Sequence, residues 1–209
     1  MENRKNSKEW LIIFIILITM FTIAGTYAFF NIKEYYEGTF EVEIRSKGID
    51  TFTLEKTEDV DLDLNEYNFS KGIGHNIVGE TDINPVLETS NEKAKICYKL
   101  EMRLPDEQVF NYTNGNNPEV MLDVLFSKDG ENYTKLIDSM DITATTGSVP
   151  VPVTMGSDNY KHSIATTRDK KTKYYYKARV TFVYYESVDQ SINNNKEFAS
   201  SLNANVVEC

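Results

Sequence analysis

Histidine is scarce in this sequence of 209 residues, where only His75 and His162 are present. Neither stands near a second histidine or a cysteine, and no HExxH spacing occurs. A catalytic zinc site normally takes three protein ligands, often histidines, and keeps its fourth position for water or substrate. The sequence therefore gives no support to a zinc hydrolase, and we predict no metal-binding residue.

Other catalytic signatures are missing as well. No GxSxG sequence marks a nucleophilic serine. The pair Gly72 and Gly74 lacks the third glycine and the following helix of a phosphate-binding loop. Cys97 lies in the apolar run KICYKLEM, which disfavours a reactive thiolate. We therefore predict no catalytic residue, no cofactor and no enzymatic activity.

Acidic residues stand at nearly alternate positions in the segment DVDLDLNE, at Asp59, Asp61, Asp63 and Glu66. A calcium loop that began at Asp59 would need glycine at its sixth position and glutamate at its twelfth, where the sequence has Leu64 and Ser70. The apolar residues between them are Val60, Leu62 and Leu64. This alternation is typical of a half-buried strand with its acidic side outward. A looser surface calcium site is the alternative interpretation.

The N-terminus combines a positive flank with a long uncharged stretch. Arg4, Lys5 and Lys8 precede residues 10–32, which contain no charged residue. Thr26 and Ala28 occupy the −3 and −1 positions of a signal-peptide cleavage site before Phe29. The stretch is also long enough to span a bilayer, which takes about 20 apolar residues. Two alternatives stay open, a signal peptide cleaved after Ala28 and a retained membrane anchor.

Both alternatives export the rest of the chain, because the positive flank stays on the cytoplasmic side. We therefore predict a signal peptide or membrane anchor over residues 1–28 and an extracellular or cell-surface domain over residues 29–209. Membrane contact is expected only through residues 10–30, and a signal peptidase is the expected partner of this segment.

The chain is acidic, with 32 acidic and 22 basic residues and a net charge of −10. Without residues 1–28 the net charge is −11. Such a domain repels nucleic acid backbones and anionic membrane surfaces, so we predict no nucleic-acid partner. Acidity of this kind is typical of a soluble extracellular protein. A diffuse cation-binding surface is the alternative.

Only two cysteines are present, Cys97 and Cys209. In an exported chain such a pair permits a disulfide. The bridge would stabilise the fold by at most about 4–5 kcal/mol, because it would close a long loop. Two unbonded thiols, or a bridge from Cys209 to another subunit, are the alternatives.

Period-two alternation of apolar and polar residues recurs along the chain after residue 38. It is clearest in the segment YYYKARVTFVYYES, and Asp129-Gly130 between two apolar runs indicates a hairpin. Pro150 and Pro152 indicate an edge strand or loop, and residues 118–125 and 191–199 are candidates for short helices. We predict an all-β domain, a β-sandwich or jelly roll, preceded by an N-terminal hydrophobic signal or anchor helix.

Two tyrosines share one face of the clearest strand, Tyr175 and Tyr185. They could form an aromatic platform for a ligand. We favour the alternative that they pack against neighbouring strands, because cross-strand aromatic pairs commonly stabilise sheets.

The stretch GTYAFFNIKEYYEGTFEV resembles the signal-peptide junction of the TasA/camelysin family of Gram-positive bacteria. The matching residues are Gly25, Thr26, Tyr27, Ala28, Phe29 and Asn31. At Lys33 the sequence departs from the family, which often has an acidic residue in this segment. The segment from Phe69 to Met102 also resembles the loop and following strand of that family.

The resemblance implies a jelly-roll domain that self-associates into extracellular fibres of a biofilm matrix. In such fibres the N-terminal segment of one subunit adds as a strand to the sheet of the next. The matching segment is Phe29–Ile44, and the donor positions are Phe29, Phe30, Ile32, Phe40, Val42 and Ile44.

The predicted function is therefore that of a secreted or cell-surface structural protein, a matrix fibre subunit. The alternative is a membrane-anchored extracellular module that binds carbohydrate, peptide or calcium. A metallopeptidase, as camelysin is classed, is the third hypothesis and the least favoured, because the sequence has no zinc-ligand spacing.

Overall fold

The computed structural model describes residues 40–45, 49–64 and 74–209. Several predictions fall outside these ranges: the signal peptide or anchor, the cleavage site at Thr26, Ala28 and Phe29, the donor positions Phe29, Phe30 and Ile32, and the acidic residue Glu66. Among the described residues no helix is long and apolar enough to cross a membrane.

The described ranges form β-strands joined by turns and loops, with a single 3₁₀ turn at Ser191–Asn193. The strands are β1 (Phe40–Arg45), β2 (Ile49–Lys56), β3 (Val60–Asp63), β4 (Ile77–Thr89), β5 (Lys93–Arg103), β6 (Val120–Ser127), β7 (Thr134–Asp141), β8 (Ser148–Val151), β9 (His162–Thr167), β10 (Lys171–Lys173), β11 (Tyr175–Phe182) and β12 (Glu197–Val207). The prediction of an all-β domain is confirmed for these ranges.

The strands form two antiparallel sheets. The first sheet has the order β1-β2-β4-β11-β6-β7, with β10 paired to β4. The second sheet has the order β3-β12-β5-β8, with β9 also paired to β5. Because β4 is followed directly by β5 in the other sheet, the turn at residues 90–92 carries the chain from one sheet to the other.

The inner faces of the two sheets meet in one apolar core, so the architecture is a β-sandwich. The predicted alternation in β3 is confirmed, because Val60, Leu62 and Leu64 are buried. In β11 the even-numbered residues from Tyr176 to Phe182 are buried, in agreement with the period-two alternation of this segment. At one end of the core Phe110, from a loop, packs its ring against those of Phe182 and Phe198.

Two local predictions, a hairpin turn at Asp129-Gly130 and an edge strand or loop at Pro150, are confirmed. Asp129-Gly130 forms the turn between β6 and β7, and Gly130 has a φ of +80°, a backbone conformation that favours glycine. Pro150 lies in β8, which is an edge strand of the second sheet. Proline is tolerated there because an edge strand need not donate every N–H to a neighbour.

The two predicted short helices are not present as such. Residues 120–127 form β6, in which Val120, Leu122 and Val124 are buried and the residues between them are not. The run VMLDVLF is apolar enough to suit either element, and the sheet context selects the strand. Of residues 191–199, only Ser191–Asn193 are helical, and β12 begins at Glu197.

The segment predicted to donate a strand lies partly in β1. Phe40, Val42 and Ile44 belong to this strand, which pairs with β2 of the same chain in the register Phe40↔Leu54 to Arg45↔Ile49. In the described ranges β1 is an edge strand of the first sheet.

Candidate binding surface on the second sheet

The polar groups inside the sandwich form closed hydrogen-bond networks. The Tyr98 hydroxyl on β5 lies 2.8 Å from the Tyr176 hydroxyl on β11, and the latter lies 3.2 Å from His162 Nδ1 on β9. His162 Nε2 lies 3.0 Å from the Val151 carbonyl oxygen. A carbonyl only accepts, so Nε2–H donates to Val151, Tyr176 donates to Nδ1 and Tyr98 donates to Tyr176.

Burial fixes the protonation states in this chain of hydrogen bonds. The exposed fractions of Tyr98, Tyr176 and His162 are 0%, 2% and 4%. Burial lowers the pKa of His162, although the hydrogen bond to Val151 opposes the shift. Burial also raises the pKa of Tyr98 and of Tyr176, so all three side chains stay neutral at pH 7. With each group partnered and shielded from water, the cluster is structural.

A second polar cluster closes one end of the sandwich around Glu119, whose side chain is fully buried. Its Oε1 accepts hydrogen bonds from the backbone N–H and the hydroxyl of Thr113, and its Oε2 accepts from Gln190 Nε2 at 2.6 Å. Asn193 Nδ2 lies 3.5 Å from the same Oε2. These donors satisfy both oxygens, so the carboxylate holds two loops together and is not poised for chemistry.

The acidic residues suspected of binding calcium are spread along the surface. Asp61 and Asp63 are exposed on the outer side of β3, as the alternation predicted. Asp59 pairs with Lys56 Nζ at 2.6 Å. In the parts of the chain that the structure describes, no group of three or more histidine, cysteine, aspartate or glutamate side chains could hold a metal ion.

The two tyrosines considered as a platform lie in different surroundings. The Tyr175 ring packs against Gly130, where an added Cβ would stand 3.2 Å from it, and Lys173 Nζ lies 5.0 Å from the ring centroid. Tyr185 lies beyond the end of β11 and donates its hydroxyl to the Pro118 carbonyl at 2.6 Å. The structure does not bring them together, and each packs against neighbouring groups.

Cys97 and Cys209 form a disulfide with a Cα–Cα distance of 5.1 Å. Of the alternatives left open by the sequence, the structure has the bridge within one chain. Val207 on β12 lies opposite Cys97 on β5, so the disulfide anchors the end of β12 to the second sheet. The buried side chain of Cys97 thereby occupies the outer side of β5 between Lys95 and Lys99.

The outer face of the first sheet is covered by ion pairs. Three lysines there have a carboxylate oxygen nearby: Lys171 with Glu88 at 3.0 Å, Lys173 with Glu55 at 2.6 Å and Lys177 with Glu80 at 3.6 Å. Arg179 and Lys135 are also paired, with Glu80 and Asp123 respectively. The cations of this face therefore already have partners within the protein.

The outer face of the second sheet differs. Lys93, Lys95 and Lys99 are exposed on one side of β5, and Lys161, directly before β9, is also exposed. Lys99 and Lys161 each lie one residue beyond the register pair Tyr98↔His162. We refer to these four residues as the lysine cluster. None of them forms an ion pair with another residue in the described ranges.

Small residues, most of them polar, surround the lysine cluster. Thr167, Ala165 and Ser163 on β9 lie opposite Lys93, Lys95 and Cys97. Asn205 on β12 lies opposite Lys99 and donates to Glu101 Oε1 at 3.3 Å. In the described part of the second sheet, no outward-pointing strand residue is aromatic.

A shallow cavity of about 280 Å³ lies at the other end of β5. Its lining residues are Asp59, Arg103, Leu104, Pro105, Asp106, Ala199, Ser200 and Ser201. Arg103 is exposed, lies opposite Ser201 and forms no ion pair within the described ranges. The outer face thus carries the lysine cluster at one end and a guanidinium with nearby hydroxyl and carboxylate groups at the other.

Sequence reasoning missed this surface. The alternation in KAKICYKLEMR puts the lysines on one side of a strand, but only the register with β9 adds Lys161, and only the structure shows that they lack ion pairs.

Comparisons with known proteins do not assign the chain to a family. No protein-family model matches the sequence, and no curated protein matches it. Among solved structures, TmCBM61 in complex with β-1,4-galactotriose is similar at 6% identity over 82% of this chain and 90% of that chain, with a TM-score of 0.24. The C-terminal domain of a chitobiase from Bacteroides fragilis is similar at 11% identity over 61% of this chain and 66% of that chain, with a TM-score of 0.19. Because both TM-scores are far below 0.5, neither likeness carries an argument about this chain, and the fold rests on its own topology.

Proposed function

We propose that this chain is an exported, non-catalytic binding module whose ligand surface is the outer face of the second sheet. The observation that carries the proposal is the contrast between the two outer faces. Cations on the first sheet are neutralised by neighbouring carboxylates, whereas those on the second sheet have no such partner in the described ranges. Charged groups left without partners on one face are available to a ligand.

The proposed location outside the cell has two supports. The positive flank and uncharged stretch before Phe29 have the form of an export signal or anchor. The disulfide between Cys97 and Cys209 suits an oxidising compartment, where such bonds persist. Retention of residues 10–30 would display the module on the cell surface, and cleavage after Ala28 would release it.

The experiment blocks the outer face of one sheet at a time by introducing a bulky side chain. Ala165 is exposed on the outer side of β9, and Ala165→Tyr puts a bulky ring beside the lysine cluster. Thr53→Tyr makes a comparable change on the outer side of β2 in the first sheet. Both variants and the parent chain are applied to an array of neutral and acidic glycans and of peptides.

We expect binding by the parent chain and by Thr53→Tyr, and loss of binding by Ala165→Tyr with an unchanged melting temperature. Mass spectrometry of the bound glycans should show no cleavage. Equal binding by both variants, or cleavage of a bound glycan, would contradict the proposal.

A fibre subunit is the second candidate, and the position of β1 favours it. This strand holds the donor positions Phe40, Val42 and Ile44 at an edge of the first sheet, where it pairs with β2 alone in the described ranges. An edge strand near a chain end can exchange between copies, as strand addition in a jelly-roll fibre of the TasA/camelysin type requires.

The test of this candidate is the variant Val42→Pro, which removes one backbone donor from β1. Electron microscopy and sedimentation of the concentrated protein would show fibres for the parent chain and monomers for the variant. A parent chain that stays monomeric at millimolar concentration would exclude the fibre subunit without affecting the binding module.

A further inference from the structure

We propose that the ligand of the second sheet is a linear acidic polysaccharide, held along β5 and β9 by the lysine cluster. This inference rests on the proposed binding function and names the ligand class of the same surface. It depends on the spacing of the cations, on the groups between them and on what the face lacks.

The spacing suits an extended anionic chain. Lys93 and Lys95 lie two residues apart on one side of β5, and Lys99 follows four residues later. At about 3.4 Å per residue, the Cα atoms of Lys93 and Lys99 lie about 20 Å apart along the strand. Lys161 widens the cluster beside Lys99. A single small anion would contact one or two of these groups, whereas a chain with repeated charges can contact all four.

The arrangement costs the fold some stability. Like charges close together on neighbouring strands repel one another, and Lys99 and Lys161 each lie one residue beyond the pair Tyr98↔His162. The chain has ten more acidic than basic residues and neutralises the lysines of its first sheet. Cations left together on the second sheet are explained by a negative partner from outside the chain.

The groups beside the lysines suit hydroxyl-rich sugars. Ser163 and Thr167 offer hydroxyls, and Asn205 offers an amide, all on the same outer face. These side chains can donate to and accept from sugar hydroxyls. A polysaccharide that bears carboxylates could thus form ion pairs with the lysines and hydrogen bonds with the neutral side chains beside them.

In the described strands of the second sheet no outward-pointing residue is aromatic, and this favours an acidic sugar over a nucleic acid. Single-stranded nucleic acids are bound by stacking bases on aromatic side chains within a basic groove. Neutral sugars, too, would have no aromatic ring to pack on along these strands. Recognition on this face would come from charge and hydrogen bonds, so salt should weaken it strongly.

The test is a titration of the full chain with oligogalacturonate, with neutral dextran and single-stranded oligothymidylate as comparison ligands. The triple variant Lys93→Gln, Lys95→Gln, Lys99→Gln removes three charges from the proposed surface. The matched control Lys171→Gln, Lys173→Gln, Lys177→Gln removes three charges from the first sheet. Melting temperatures show whether each variant is folded.

We expect the parent chain to bind oligogalacturonate in preference to both other ligands, with an affinity that falls as salt rises. The first triple variant should bind about tenfold more weakly or worse, with a shallower salt dependence, and the control should bind within about threefold of the parent.

Three results would overturn the inference. Preferred binding of dextran, unchanged in the first triple variant, would show a neutral ligand and leave the binding function standing. Preferred binding of oligothymidylate would show a nucleic acid ligand. No binding of any ligand here or on the glycan and peptide array would contradict the binding function as well.

Discussion

The hydroxyl of Tyr98 lies 2.8 Å from that of Tyr176, and this contact joins the two sheets across the core. Tyr98 belongs to β5 of the second sheet and Tyr176 to β11 of the first. Because Tyr176 also donates to His162, the central hydroxyl accepts one hydrogen bond and donates another. Buried polar groups that are fully paired in this way fix the relative position of the sheets more sharply than apolar contacts alone.

Replacing the central tyrosine should cost more than replacing the first. Tyr176→Phe leaves His162 Nδ1 without a donor and the Tyr98 hydroxyl without an acceptor, so we expect a loss of about 2–3 kcal/mol in the free energy of unfolding. Tyr98→Phe removes only one donor and should cost about 1 kcal/mol. Urea denaturation measures both, and equal losses would contradict the central position of the Tyr176 hydroxyl between Tyr98 and His162.

The buried histidine should make the protein sensitive to mild acid. The pKa of folded His162 is lowered from 6.5 by burial, so the unfolded chain takes up the proton first as the pH falls below 6.5. Stability should therefore fall between pH 6.5 and the lower pKa of the folded state, by up to about 1.4 kcal/mol per pH unit.

Comparing the parent chain with His162→Gln separates the effect of this histidine on stability from that of the many carboxylates, which titrate in both proteins. Urea denaturation at pH 7.5, 6.5 and 5.5 should show a steeper fall for the parent chain than for His162→Gln. Parallel curves for the parent and His162→Gln would mean that the buried imidazole is not kept neutral.

The disulfide should contribute a large share of the stability. Its cysteines are 112 residues apart, and closing a loop of that length restricts the unfolded chain by an amount worth at most about 4–5 kcal/mol. We expect the double variant Cys97→Ala, Cys209→Ala to lose about 2–5 kcal/mol in the free energy of unfolding. The parent chain should lose a similar amount when its disulfide is reduced. If the exported protein is alkylated at both cysteines without reduction, the bridge is absent in the cell.

Gly79 on β4 allows β3 to cross closely over the first sheet. A Cβ at this position would stand 2.7 Å from Val60 Cγ1 and 3.0 Å from Leu62 Cδ2. Gly79→Ala should therefore destabilise the protein by about 1–3 kcal/mol through overpacking. Val60→Ala in the same chain removes one of the clashing atoms, so the double variant should lose less than the sum of the single losses. Strict additivity would show that the two residues do not touch.

The parts of this fold that follow from local pattern could be predicted from the sequence. β3 and β11 were predictable because their apolar residues alternate, and the β6–β7 hairpin because Asp129-Gly130 interrupts an apolar run. For β6 the sequence left two alternatives, the first strand of this hairpin and a short helix over residues 118–125. The run VMLDVLF is mostly apolar and suits both, and its place between β11 and β7 selects the strand.

The candidate surface depends on relationships that one sequence does not contain. Lys99 and Lys161 are 62 positions apart in the sequence. They come close through the pairing of β5 with β9, in which Tyr98 lies opposite His162. The missing ion pairs depend on what lies opposite each lysine. Net charge predicted repulsion of polyanions, but it averages over both sheets and conceals a local cluster of the opposite sign.

The most direct test is to map the ligand contact on the molecule itself. Backbone amide NMR spectra of the ¹⁵N-labelled protein would be recorded during titration with oligogalacturonate. The account predicts shifts concentrated at residues 93–99, 161–167 and 203–207, with the first-sheet residues 171–181 unchanged. Shifts confined to the first sheet, or none at saturating ligand, would contradict it.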